Sequence, residues 1–354
     1  MNVSTVHNEV GATAVVTEPD RGRAPNIRDV AALAGVSYQT VSRVLNDSEN
    51  IKDSTKERVN DAIRQLGYRP NQAARALVTS RSRTIGVLSA DAKAHYGPAT
   101  AVNAIEQAAR EAGYRLSITS ISSGDYASIK SAIDYLLSQA VEALVVIAPQ
   151  VRVFDALADL SINVPYVTLE STGRDSGHSL SVDQVAGARL ATKHLIDLGH
   201  TEITHISGPQ DWIEADARMQ GFLHEINDAE LRTRAPILGD WSAHFGYYAG
   251  LELLRFRDFT AVFAGNDQMA LGFMHACRES GLDVPGDISV VGFDDIPEAA
   301  HFSPPLTTVR QNFAEIGRRA VELLLSELSG GAGQNHDQIR PELVVRATTA
   351  PPAW

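Results

Sequence analysis

Near the start of the chain the apolar positions Ile27, Val30, Ala31 and Ala34 recur at i, i+3, i+4 and i+7. That spacing places them on one face of a short helix. Asn26 stands where an N-cap belongs, Asp29 sits three positions on, and Gly35 permits a sharp exit. Ser37 can cap a second helix with Val41, Val44 and Leu45 inward and Tyr38, Gln39, Ser42 and Arg43 outward. After a polar loop at 46–50, Ser54 and Glu57 read as a capping box for a third helix. Its apolar positions are Val59, Ala62, Ile63 and Leu66, and Gly67 closes it. Three short helices with a glycine turn between the first two predict a helix-turn-helix. Residues 70–77, opened by Pro70 and rich in alanine, form an octamer too short to be helical without support. Residues 79–83 read as a linker.

From Thr84 the period changes. Strands are predicted at 85–88, 116–118, 143–147 and 165–169, with helices at 99–112, 126–140 and 151–160 between them. A second series follows, with helices at 184–198, 213–229, 244–255, 267–281 and 313–329 and strands at 203–206, 260–264, 288–291 and 342–345. Near-continuous apolar strands alternating with helices imply parallel sheets covered on both faces. Two series imply two lobes, and ligands in such folds bind beyond the carboxyl ends of the strands.

Composition changes the picture in two places. The 354 residues are 44% hydrophobic and 21% charged, and no apolar run reaches the ~18 residues of a membrane span. The single cysteine, Cys277, excludes a disulfide framework and points to a reducing, cytoplasmic setting. Residues 1–25 lack the charged start and apolar stretch of an export signal and read as a flexible tail. The net charge of −12 argues against a polyanion partner only on average: between Arg21 and Arg83 there are twelve Lys and Arg against six Asp and Glu. A basic end on an acidic body suits nucleic acid bound at one end.

Enzyme chemistry finds no motif. There is no GxxxxGK[ST], no GxGxxG after a strand, no GxSxG and no HExxH. Ser329-Gly330-Gly331-Ala332-Gly333 follows a helix and reads as a loop. His194, His200 and His205 span a helix, a turn and a strand, which is no one-helix metal site. No cofactor and no metal is expected.

The run from Ile27 to Asn46, IRDVAALAGVSYQTVSRVLN, resembles the DNA-binding headpiece of the lactose-repressor (LacI) family. Tyr68-Arg69-Pro70-Asn71 and the alanine-rich octamer resemble its hinge helix. Gly265-Asn266-Asp267-Gln268-Met269-Ala270, the DISVVGFDD run at 287–295 and Pro305-Leu306-Thr307-Thr308-Val309 resemble its effector-binding core. The likeness runs from about Asn26 to Thr348. It implies a small all-α headpiece at 26–69, a hinge helix and linker at 70–83, and a core at 84–354. That core is periplasmic-binding-protein-like, with two Rossmann-like lobes. Lobe one would be about 84–182 with 311–329, and lobe two about 183–310 with 340–348.

The resemblance also implies roles. Tyr38, Gln39 and Arg43 would read bases in the major groove, with Ser37, Thr40 and Ser42 near phosphates. Tyr38-Gln39 is the pair of the family's namesake, implying a similar half-site. Leu77 would wedge the minor groove, with Ala74 and Asn71 beside it. In the core, Arg218 would grip sugar hydroxyls, with Asn266 and Asp294 as partners and Trp241 and Phe313 as aromatic walls. On the residues alone, Arg218 could instead pair with Glu214 or Asp216 on its own helix, and Trp241 and Phe313 could be packing residues. Only one of Asp294 and Asp295 need face the cleft. Glu170 stands where the namesake has an aspartate, Ile147 where it has an asparagine, and Ala90 where it has a serine.

The function implied is a repressor that binds a palindromic double-stranded operator as a homodimer. A small saccharide would release it, either a β-galactoside or a related β-glycoside or disaccharide. Trp354 comes too soon after Thr348 for tetramer-forming heptads. A ligand that promotes DNA binding, as a corepressor does, is the alternative, and a solute-binding receptor is a more distant one.

Overall fold

A computed structural model describes residues 25–45, 51–69, 81–89, 96–121, 125–148, 150–158, 160, 162–169, 179–331 and 337–353. The tail at 1–24, Asn71, Ala74 and Leu77 of the octamer, and Ala90 and Glu170 lie outside the described residues. The chain divides into two compact units, Met1–Ser80 and Arg81–Trp354.

The first unit holds α1 (Ile27–Ala34), α2 (Tyr38–Leu45) and α3 (Asp53–Leu66). Asn26 closes a capping box: its side chain accepts from the Asp29 N–H while the Asp29 carboxylate accepts from the Asn26 N–H at 2.7 Å. Gly35, at φ 64°, ends α1 in the left-handed conformation that favours glycine. The Ser37 hydroxyl accepts from the Thr40 N–H at 3.1 Å and starts α2. Val30, Val41 and Val59, one from each helix, are fully buried together. The capping box expected at Ser54 and Glu57 does not form. The Lys52 carbonyl accepts from the Thr55 and Lys56 N–H groups, so α3 starts at Asp53 and Ser54 already lies inside its first turn.

The second unit is built on two sheets. The first has strand order β2-β1-β3-β4-β5, from β1 (Thr84–Ser89), β2 (Arg115–Ser120), β3 (Ala143–Ile147), β4 (Tyr166–Leu169) and β5 (Ser179–Leu180), all parallel. With it go α4 (Tyr96–Glu111), α5 (Tyr126–Ser138), α6 (Val151–Ala158) and the late helix α11 (Phe313–Leu328). Helix α11 lies against α4 so closely that a Cβ on Gly317 would collide with the Ala104 backbone.

The second sheet runs β11-β10-β9-β8-β6-β7, from β6 (Ile203–Ser207), β7 (Ile237–Leu238), β8 (Ala261–Ala264), β9 (Ser289–Asp294), β10 (Thr307–Arg310) and β11 (Glu342–Val344), with only β11 antiparallel. Its helices are α7 (Gln184–Asp197), α8 (Ile213–Asp228), α9 (Ala243–Leu253) and α10 (Asp267–Glu279). Strands β5, β7 and β10 are absent from the sequence reading; each is four residues or fewer. Among the described residues no helix is long and apolar enough to cross a membrane.

The chain passes between lobes near 181–184, 310–313 and 337–341. The lobes also interlock. Tyr96 of lobe one packs on the lobe-two core around Met269 and Phe273, and Ile213 of lobe two is buried in the lobe-one core around Ile129 and Leu136.

Candidate functional site

In the first unit α2 carries a polar surface because its apolar residues fall on the opposite side. Val41 and Val44 are buried, whereas Ser37, Gln39 and Arg43 are exposed, Tyr38 is 55% exposed, and Thr40 and Ser42 are half-buried. An Arg, a Gln and a Tyr held outward on one rigid helix match what major-groove reading requires.

In the second unit a cleft opens between the lobes, the place where two-lobed α/β folds bind small molecules. It is lined by Arg218, Asn266, Asp294, Trp241 and Phe313 and by Ile147. Arg218 projects from α8 and is 5% exposed. Its Nε donates to Gln184 Oε1 at 2.8 Å, its Nη1 to the Gly265 carbonyl at 2.5 Å and its Nη2 to Asp294 Oδ1 at 3.3 Å. The guanidinium lies 3.8 Å from the centroid of the Phe293 ring and 5.4 Å from that of Trp241. Its ion-pair partner Asp294 stands at the end of β9, and on its own helix Asp216 accepts from Gln220.

Asp294 ends β9 with φ 107°, and Asp295 follows at φ 50°. Left-handed backbone at two successive aspartates turns their carboxylates apart. Asp294 faces the cleft, and Asp295 pairs with Arg310 at 2.6 Å and Arg346 at 2.5 Å. Burial raises the Asp294 carboxyl, and the Arg218 charge opposes this. Burial also lowers Arg218, and Asp294 and then Glu214 oppose that. Asp267 beside them is held well above the usual carboxylate range, first by burial and then by the Asp294 charge.

Trp241 also has a left-handed backbone, φ 68°, where strain is expected for a bulky residue. The Asp240 carboxylate accepts from the Ser242 N–H at 2.9 Å, and Asn266 Nδ2 donates to the Trp241 carbonyl at 3.0 Å. The indole lies flat on Gly208, where any Cβ would strike the ring. Its buried Nε1–H finds no acceptor among the described residues. Asn266 also caps α10 through the Met269 N–H at 2.9 Å, so it serves structure as well as lining. Phe313, half-buried at the start of α11, meets Tyr96 edge-on at 6.1 Å.

The structure adds Tyr96, Trp212, Glu214, Gln184 and Gln311 to the cleft. Trp212 meets Trp241 edge-on at 5.6 Å. Glu214 precedes Arg218 by one helical turn, a spacing that by itself places both on one face. The histidines do other work. His200 is buried against Thr260, Ser289 and the Ala350 carbonyl, and His205 stacks between Phe222 and Phe263. Among the described residues no His, Cys, Asp and Glu group is arranged to hold a metal.

Two family models match the chain: the lacI family of bacterial regulatory proteins over residues 26–71, and a periplasmic binding protein-like domain over 192–349. The lactose operon repressor of Escherichia coli (strain K12) is 37% identical over 328 residues, 92% of this chain and 90% of that protein. The chain belongs to the LacI family. This LacI-family protein is thus a DNA-binding transcriptional repressor and not an enzyme. The HTH-type transcriptional repressor PurR of Mannheimia succiniciproducens is 34% identical over 327 residues, 90% of this chain and 97% of its own. Among solved structures, the lac repressor dimer bound to operator and the anti-inducer ONPF superposes with a TM-score of 0.82 at 34% identity, covering 93% of this chain and all of that one. The complex of the transcriptional regulator CelR with cellobiose has a TM-score of 0.67 at 32% identity, covering 92% of this chain and 99% of that one.

Proposed function

We propose that this LacI-family repressor binds a near-palindromic operator as a dimer and is released from it by a small saccharide. In this reading the saccharide is a β-galactoside or a related β-glycoside or disaccharide. The observation that carries the effector half is the cleft floor: a buried arginine fork beside a buried carboxylate, under a tryptophan ring. Vicinal hydroxyls suit a planar donor fork paired with an acceptor, and the C–H face of a sugar suits an indole. The lac repressor bound to ONPG and the CelR–cellobiose complex, both similar to this chain, favour a glycoside over other small molecules. Ile147 lies in the wall at a position where the family resemblance implies an asparagine, which favours a ligand other than an identical galactoside.

For DNA, Tyr38, Gln39 and Arg43 read base edges while Ser37, Thr40 and Ser42 hold phosphates. Leu77, with Ala74 and Asn71, supplies the wedge between the paired hinges. The dimeric, operator-bound lac repressor supports this assembly.

A thermal-shift screen tests the effector assignment. A ligand at 100 times its Kd adds about 2.7 kcal/mol of stability. Galactosides, cellobiose and related disaccharides are expected to raise Tm, and Arg218→Lys to abolish the rise. A rise with purine bases and none with any saccharide would overturn the reading in favour of a corepressor of the PurR kind.

A further inference from the structure

Four buried side chains on the cleft floor form a closed hydrogen-bonded circuit. Arg218 Nε donates to Gln184 Oε1 at 2.8 Å, and Gln184 Nε2 donates to Gln311 Oε1 at 2.8 Å. Gln311 Nε2 then donates to Asp294 Oδ1 at 2.7 Å, which also accepts from Arg218 Nη2 at 3.3 Å. All four residues are 8% exposed or less. The orientation of both amides follows from the ends. Arginine can only donate, so Gln184 must turn its oxygen to it and its NH2 to Gln311. Gln311 must then present its oxygen to Gln184 and its NH2 to the carboxylate. No other arrangement satisfies every buried group.

The two glutamines occupy the chain crossovers. Gln184 opens α7 immediately after the first crossover, and Gln311 sits between β10 and α11 in the second. The first crossover is also tied to the third: the Asp183 N–H donates to the Ile339 carbonyl at 3.0 Å, and the Ile339 N–H to the Ser181 carbonyl at 2.9 Å. Gln338 Nε2 adds a bond to Ser181 Oγ at 3.0 Å. Every connection between the lobes is therefore within two hydrogen bonds of Arg218. The bond between those two is the longest in the circuit, so it is the one a ligand's hydroxyls would open.

We propose that Gln184 and Gln311 are positioning residues that transmit ligand engagement at Arg218 and Asp294 to the three crossovers. The cleft is thereby read out as a change in the angle between the lobes. This rests on the cleft being the effector site. A ligand that draws Arg218 or Asp294 toward itself must re-aim the amides, because their donor and acceptor ends cannot be exchanged. The crossovers carrying those amides then shift together. The energy available is the difference in the ligand's affinity for the two lobe arrangements.

The test uses the full chain, a symmetric lactose-operator duplex, and ONPG and cellobiose as probes. Operator affinity is measured without and with each saccharide at saturation, so that the ratio reports coupling independently of saccharide affinity. Gln184→Met and Gln311→Met are each expected to reduce that ratio by about tenfold, within the span typical of coupling between sites. The double variant is expected to lose no more than either alone, because a circuit broken once is broken. Where a Met variant fails to fold, Gln184→Glu replaces it. It still accepts from Arg218 but cannot donate to Gln311, and the same loss is expected. Hydrogen exchange at the Asp183 and Ile339 amides is followed in parallel in ligand-free protein and is expected to accelerate in Gln311→Met.

A ratio equal to wild type in the single variants, or additive losses in the double, overturns the proposal. If neither saccharide binds wild type, the saccharide reading fails instead. Exchange then still decides the relay, and unchanged exchange at both amides overturns it.

Discussion

The guanidinium of Arg218 is stacked 3.8 Å from the centroid of the Phe293 ring while its Nη2 reaches the carboxylate of the next residue, Asp294. One strand end thus supplies both the face that supports the cation and the charge that neutralises it. Nε and Nη1 add bonds to Gln184 and the Gly265 carbonyl. A fork in that position cannot be replaced by the point charge of lysine.

Arg218→Lys is therefore expected to abolish the saccharide-induced rise in Tm while the variant still holds operator DNA without ligand. Arg218→Ala goes further: it leaves Asp294 buried without its cation, at a cost of about 3–5 kcal/mol. Thermal melts with and without saccharide, alongside operator titration, separate the two. Release of DNA by Arg218→Lys at the wild-type saccharide concentration would falsify the effector assignment.

Tyr38 and Gln39 are exposed and support no core. Gln39→Ala is expected to leave Tm unchanged and to cost about 1–3 kcal/mol at a single operator position, relaxing preference there. Binding to a panel of operators with single base-pair changes checks this. A uniform loss across all sequences would mean that Gln39 contacts phosphate instead.

His205 is buried between two phenylalanines, and burial pushes its imidazole down to about 4, against about 6.5 in an unfolded chain. Protonation therefore favours unfolding. The stability that depends on a neutral His205 is complete above about pH 6.5 and is lost as pH falls toward 4, by about 3 kcal/mol in all. His194 and His200 are lowered by burial too and act in the same direction. His205→Leu is expected to flatten the decline in Tm between pH 7 and pH 5. An unchanged slope in that variant would place the acid sensitivity elsewhere.

Gly317 allows α11 to lie on α4. Gly317→Ala is expected to force the helices apart and to lower stability by about 1–3 kcal/mol, although alanine has the higher helix propensity. Denaturant unfolding of the variant measures this, and any gain in stability would contradict the close approach.

Local chemistry made much of this protein legible in its sequence. Asn26, Asp29 and Gly35 bound α1 through contacts within one turn, and the period of Val41 and Val44 decides which side of α2 faces outward. Alternation of apolar strands with helices announced two largely parallel sheets because the strands β1, β3, β6, β8 and β9 are buried along their whole length. Ser54 misled because a capping box depends on which carbonyl starts the helix, and the Lys52 carbonyl lies two residues earlier. Strands β5 and β7, two residues each, carry no period at all.

The cleft divides the same way. Asn266 and Asp294 stand in runs that resemble a known family, Arg218, Trp241 and Phe313 at single positions that match it, and the structure brings all five to one cleft. Gln184 and Gln311 carry no motif, and they touch across 127 positions of sequence. Nothing local orients them. Their amide directions come from a buried cation at one end and a buried carboxylate at the other, and only the folding of two lobes around three crossovers brings those ends together. Sequence alone determined where most helices and strands run and which face of α1 and α2 turns outward, because capping and periodicity act over a few residues. Tertiary structure decided how the charges on the cleft floor are connected, because it buries Gln184 and Gln311 between Arg218 and Asp294, where each amide donates in one direction and accepts in the other.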